Sequence, residues 1–166
     1  HKADGTEKLS SGDLVKLFLS DDTFDKFSGA EKTDSEFASL KAIDSSRLSI
    51  VYEDKDVLMI NKPSGMLSQK AAPEDISANE YILSYLIRKG ELDENQLKTF
   101  KPSVCNRLDR NTSGLLIAGK SMKGLQEMSA ALKKRTVQKF YRCIVKGELH
   151  QKTHLKGYLK KEERTN

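Results

Sequence analysis

From Arg47 onward the apolar residues come in short runs, each closed by residues that turn a chain. This rhythm limits the fold more than any other feature, because it asks for short strands and brief helices joined by tight connections. "RLSIVYED" and "VLMINKPSG" read as two strands linked by the acidic turn "EDKD", the second ending at Pro63, Ser64 and Gly65. "SANEYILSYLIRKG" is the clearest helix, with Ser77 and Glu80 spaced as a capping box and Gly90 as its stop. Tyr81, Ile82, Tyr85 and Leu86 make its apolar stripe. After a polar loop, "LLIAGK" is a short buried strand. "SMKGLQEMSAALKKR" reads as a helix capped by Ser121, with a stripe of Leu125, Met128 and Leu132 and a basic end that suits its negative pole. "KFYRCIVKGEL" returns to strand, with Tyr141, Cys143 and Val145 on one face. Strands and helices interleave irregularly through hairpin-like links. The expected class is α+β, a mixed and mainly antiparallel sheet with flanking helices, rather than a doubly wound parallel sheet.

The first 47 residues differ. "SGDLVKLFLS" suits a short strand from Asp13 to Leu19, but residues 20–46 are acidic, polar and poor in periodic apolar positions. That stretch reads as a linker or weakly ordered extension, with the compact domain starting near Arg47.

At 166 residues the chain suits one domain with a real core, and its 37% hydrophobic and 32% charged residues suit a soluble globular protein. No apolar run approaches the roughly 18 residues of a membrane span, and no signal-peptide core opens the chain. Because it opens on His1, it reads as a processed or excised piece. Cys105 and Cys143 form no motif, so burial in a reducing, cytoplasmic setting is expected for both. Charge is uneven: residues 1–60 hold 8 Lys and Arg against 13 Asp and Glu, while residues 120–166 hold 13 against 4. A basic final third suits a polyanionic partner, or equally a solvated lysine-rich face.

"NRLDRNTSG", residues 106–114, holds the most pointed chemistry. Asp109 sits between Arg107 and Arg110, just before the buried strand. An acid beside arginines is most often a surface ion pair worth about 1 kcal/mol at most. Its position in a loop that leads into a core strand argues instead for a cleft-facing carboxylate. Two nearby guanidiniums would favour its charged form and keep it available as a nucleophile. Thr112, Ser113 and Gly114 turn the chain and offer hydrogen bonds to hold the loop.

"NRLDRNTSGLLIAGKS" resembles the signature of the RluA-type pseudouridine synthases, His-Arg-Leu-Asp-x-x-Thr-Ser-Gly-Leu-Leu. "VYEDKDVLMINKPSGML" resembles that family's strand ending in Asn-Lys-Pro-x-Gly, and "KFYRCIVKGEL" its Lys-x-Tyr-x-x-x-Val-x-Gly strand. The three stand in the family's order over residues 47–149. The resemblance implies the N-terminal part of the pseudouridine synthase catalytic fold over residues 47–166. It implies isomerisation of uridine to pseudouridine in structured RNA, with no cofactor and no metal. Asp109 would be the essential group, as nucleophile or as base toward the sugar. The uridine must leave its stack to reach it, at a cost of a few kcal/mol. Arg107 would hold the distorted RNA and Tyr141 would pack against the flipped base, unless it is a core tyrosine. Arg110 and Thr112 would line the substrate side. Lys62 and Pro63 would shape the wall, Lys62 through an ion pair or an RNA phosphate. Lys133, Lys134, Arg135 and Lys139 would meet phosphates.

Asn106 stands where the family commonly has His, and both can hydrogen-bond. The family's later His-x-x-Arg segment has no match in "HQKTHLKGYLKKEERTN", so the domain reads as cut short, with uncovered sheet edges and little activity expected of the chain alone. Residues 1–20 weakly resemble the end of a small RNA-binding domain, which leaves 21–46 as linker. His150 and His154 lack a third ligand, so no zinc site is expected. The expected partner is RNA, ribosomal large-subunit RNA before transfer RNA, with no membrane and no obligate protein partner. A non-catalytic RNA-binding or scaffold remnant is the competing reading.

Overall fold

A computed structural model describes Lys8 and residues 10–14 and 30–158. The chain divides after Thr136 into two units, which are described separately. In the first, four strands form one antiparallel sheet in the order β1-β2-β4-β3. They are β1 (Ile50–Glu53), β2 (Val57–Lys62), β3 (Ser103–Val104) and β4 (Gly114–Gly119). The helices are α1 (Ala30–Ala42), α2 (Ala78–Lys89), α3 (Glu94–Thr99) and α4 (Met122–Lys133). This is the expected α+β arrangement.

The hairpin β1–β2 turns where the sequence asks it to. The Asp54 carboxylate accepts the amides of Asp56 and Val57 at 2.8 and 2.7 Å, closing the "EDKD" bend. β2 then pairs with β4 in unbroken register from Val57 opposite Gly119 to Lys62 opposite Gly114. Alternation sends Leu58, Ile60 and Lys62 to the same face as Leu116 and Ala118. Those apolar residues join Ala78, Ile82, Leu83, Leu86 and Ile87 of α2 in one core. The helix starts on the expected capping box of Ser77 and Glu80 and stops at Gly90.

Two helices were hidden in polar sequence. The stretch expected as a linker contains α1, whose Leu40 is buried and whose Phe37 packs on the core. Arg88 and Ser84 of α2 both donate to the Ile43 carbonyl, at 2.8 and 2.7 Å, and Lys101 pairs with Glu36. So few apolar residues give α1 little periodic signal, and tertiary contacts hold it. The second hidden helix, α3, starts on a capping box between Asp93 and Gln96 inside the expected loop. Asp13 and Leu14, the start of the expected first strand, lie outside any element, and residues 15–19 lie outside the described residues.

At one end of the sheet, Lys120 reaches Glu53 at 2.6 Å and Glu91 at 2.5 Å, while Lys89 reaches the same two acids at 2.9 and 2.7 Å. Tyr85 donates to Glu53 at 2.8 Å. Partial burial works against the Glu53 charge, but hydrogen bonds from Lys120, Lys89 and Tyr85 prevail and hold its carboxyl down at about 2. Helix α4 docks beside this network through glycine. A Cβ on Gly124 would lie 2.0 Å from the Asp56 carbonyl oxygen, and one on Gly119 would lie 2.4 Å from the Leu125 backbone.

In the second unit, described to Tyr158, the expected strand over "KFYRCIVKGEL" is absent and Phe140, Tyr141, Ile144 and Val145 are exposed. Alternating residues make a strand only when a neighbour takes up the backbone groups, and among the described residues of this unit none does. For the same reason Cys143 is exposed, against the expected burial, whereas Cys105 is half-buried.

Two outcomes follow from this packing. Gly124→Ala destabilises the chain by about 1–3 kcal/mol in chemical unfolding, because the backbone clash outweighs the gain in helix propensity; an unchanged midpoint would contradict the close approach. Glu53, its side chain 15% exposed, titrates at about 2 when folded against an ordinary 4.5. Its contribution, on the order of 1–3 kcal/mol, is therefore complete above pH 4.5 and lost as pH falls through 2. Glu53→Gln lowers stability at neutral pH and flattens that acid limb in pH-dependent unfolding; an unaltered limb would rule out the network's role.

Candidate active site

The segment between β3 and β4 carries the residues singled out by their chemistry. Past the short β3, the Asn106 side chain prolongs the ladder: it accepts the Ile117 amide at 2.8 Å and donates to the Leu115 carbonyl at 3.3 Å. The Cys105 amide donates to Ile117 at 2.6 Å. The chain then bends, with the Thr112 amide donating to the Asp109 carbonyl at 3.0 Å.

The loop after β2 grips this bend. Gly65 (φ 89°, a left-handed conformation open mainly to glycine) donates its amide to the Arg110 carbonyl at 2.8 Å. The Ser64 hydroxyl donates to the Asn111 carbonyl at 3.0 Å. The Ser68 hydroxyl donates to the Leu108 carbonyl at 2.7 Å and accepts the Leu108 amide at 2.9 Å. Lys62, fully buried, donates to the carbonyls of Pro63, Met66 and Arg110 at 3.1, 2.7 and 3.2 Å. Every carbonyl from Leu108 to Asn111 is therefore bound, while the side chains of Arg107, Asp109 and Arg110 are exposed and Thr112 is half-buried.

The electrostatics differ from the pattern expected of an acid between two arginines. Among the described residues no ion pair joins Asp109 to Arg107 or Arg110. The surface-pair reading therefore fails. Burial pushes the Lys62 ammonium below the ordinary lysine range, and the charge of Asp109 draws it back upward. Lys62 takes neither of its expected roles: its donors are spent on backbone carbonyls, which leaves none for an ion pair or a phosphate. Arg110 lies in the field of Asp75, an acid that escaped notice in the sequence. Amides of Ala72 and Ala71 hold the Asp75 carboxyl below its usual range, and the charge of Arg110 contributes. Lys133, Lys134, Arg135 and Lys139 are exposed. Tyr141 belongs to the second unit, where it is exposed. A charged cleft lined by Glu53, Asp54, Lys55, Lys89, Glu91 and Lys120 lies at the opposite end of β4, where Glu53 and Glu91 are bonded to Lys89 and Lys120.

An acid displayed on a turn bonded at every carbonyl, beside two exposed arginines, makes a solvent-facing cluster of one carboxylate and two guanidiniums. The family profile described as RNA pseudouridylate synthase matches residues 56–166, and the chain belongs to that family. It is 30% identical over 145 residues to ribosomal large subunit pseudouridine synthase D of Borreliella burgdorferi, covering 86% of this chain and 44% of that protein. It is 31% identical to ribosomal large subunit pseudouridine synthase C of Rickettsia felis, covering 89% of this chain and 45% of that one. A solved human structure, RNA pseudouridylate synthase domain containing 4, aligns with 62% of this chain and 35% of its own at 18% identity and a TM-score of 0.43. The chain thus spans less than half the length of the curated relatives named here.

The grip of Lys62 is open to test. Lys62→Met fills the site but leaves the Pro63 and Met66 carbonyls without their donor, so stability falls by about 1–3 kcal/mol. Amide exchange speeds up from Leu108 to Thr112. Unchanged melting and exchange would remove Lys62 from its anchoring role.

Proposed function

We propose that this chain is part of an enzyme that isomerises uridine to pseudouridine in RNA, with Asp109 as the catalytic carboxylate. The observation that carries the reading is the turn itself: its backbone is bonded at every carbonyl, and among the described residues its acid has no hydrogen-bonded partner. Such a group is pre-positioned, so little reorganisation is needed as the reaction proceeds. The reaction breaks the bond from the sugar to the base nitrogen and forms one to a base carbon, whose hydrogen leaves as a proton. Atoms and electrons balance without oxidant or added group. Asp109 acts on the sugar as nucleophile or as base.

Arg107 and Arg110 suit the RNA backbone next to the displaced uridine. Thr112 holds the bend between them, and Tyr141 is the proposed stacking partner of the displaced base. Lys133, Lys134, Arg135 and Lys139 would add salt-sensitive phosphate contacts. Large-subunit ribosomal RNA is the proposed substrate, with transfer RNA as the alternative; the names of the relatives support the first. A cytoplasmic setting belongs to the proposal and rests on two free thiols.

In the whole gene product, Asp109→Asn lowers pseudouridine formation by at least about a thousandfold, while RNA affinity stays within about fivefold, because chemistry and phosphate binding fall to different side chains. The measurement is tritium release from RNA labelled at uridine C5, taken from cells lacking the gene. Turnover by Asp109→Asn at the parental rate would refute the assignment. RNA binding without turnover by the parent protein would favour the non-catalytic remnant.

A further inference from the structure

The bend that displays Asp109 is held on both sides, and the two grips differ in kind. After Asp109, Lys62, Ser64 and Gly65 only donate, to the carbonyls of Arg110 and Asn111. Before it, one hydroxyl does everything. Ser68, 4% exposed, donates to the Leu108 carbonyl and accepts from the Leu108 amide. It thereby binds both backbone groups of the residue preceding the acid. The peptide joining Leu108 to Asp109 is planar, so fixing the Leu108 carbonyl also fixes the nitrogen and Cα of Asp109. From there only the acid's own torsions are left to choose where its carboxylate points.

Ser68 is itself anchored. The Ala78 amide donates to the Leu67 carbonyl at 2.7 Å, which fixes the peptide entering Ser68, and Ser77 beside it gives its hydroxyl proton to Glu80 at 2.6 Å. Both belong to the buried start of α2. From the same turn, the Asn79 side chain accepts the Val104 amide at 3.0 Å, where the chain enters the active segment. The rigid first turn of a core helix is thus wired to Asp109 through one side chain.

We propose that Ser68 is a positioning residue for the reaction, its hydroxyl setting the backbone from which Asp109 addresses the substrate. This rests on the reading of Asp109 as the catalytic group. The role needs a donor and an acceptor at a single buried point, which a hydroxyl supplies and an alkyl group does not.

The test uses the whole gene product and tritium release from total RNA, labelled at uridine C5, of cells lacking the gene, with rates normalised to the folded fraction from thermal melting. Ser68→Ala lowers kcat on the order of 10–100-fold and leaves the half-saturating RNA concentration within about threefold. The Leu108 amide exchanges faster in the folded protein. Ser68→Thr, which keeps the hydroxyl, restores kcat to within about threefold of the parent. Should Ser68→Ala not fold, Ser68→Cys fills the same volume with a poor hydrogen-bonding group and shows the same selective loss of kcat. Parental kcat in the folded Ser68→Ala protein, or equal losses in the Ala and Thr variants, would overturn the proposal. An inactive Asp109→Asn beside a fully active Ser68→Ala removes the positioning role alone; an active Asp109→Asn removes both readings.

Discussion

A lysine with no exposed surface must have its ammonium met by protein oxygens. Lys62 has three N–H donors and finds three carbonyls, on Pro63, Met66 and Arg110. Two of them belong to its own loop and the third to a segment 48 residues away. The ammonium therefore ties the end of β2 to the bend that carries Asp109. Full pairing is what makes such burial tolerable, since an unmet charge in that position would cost several kcal/mol. The neighbouring grips of Ser64, Gly65 and Ser68 act on the same four-residue bend. Together they turn a surface loop, ordinarily the softest part of a fold, into one of its most constrained.

The two ends of the central strand pair divide the work. At the end where Val57 meets Gly119, charges neutralise one another: Glu53, Lys89, Glu91 and Lys120 are mutually bonded, and α4 lies against bare glycine. At the end where Lys62 meets Gly114, Arg107, Asp109 and Arg110 are exposed and, among the described residues, not paired with one another. The first arrangement spends the hydrogen-bonding capacity of these four side chains on one another. The second contributes less to stability through its side chains, which is what the proposed role in substrate binding would need.

Much of this was legible residue by residue. The β1–β2 hairpin, the Ser77–Glu80 capping box and the buried core of α2 follow from local rules and hold in the structure. The Asp93–Gln96 box obeys the same rule, but the polar sequence around it offers only Leu97 as a buried residue and so no apolar stripe to mark a helix. Helix α1 was not legible, because it depends on Arg88, Ser84 and Lys101, contacts made far along the chain. The segment from Lys139 to Leu149 shows the converse, an alternating pattern without a strand neighbour among the described residues of its unit. The role of Lys62 was half visible: period-two alternation puts it on the face of Leu58 and Ile60, a core position. Its partners, being backbone carbonyls, leave no mark in side-chain sequence.

The same reasoning explains why Asp109 and its arginines can be close in sequence without neutralising each other. A surface ion pair forms when side chains are free to seek one another, and it gains little in doing so. Here the backbone of the bend is bonded at each carbonyl, so the directions in which Arg107, Asp109 and Arg110 leave it are largely fixed by the grip below. Asp109 instead feels the charge of buried Lys62, and Arg110 that of Asp75. The acid thus sits near positive charge with no hydrogen-bonded partner for its oxygens among the described residues. In the role proposed for Asp109, attack on a sugar needs that combination, charge compensated at a distance and lone pairs left open.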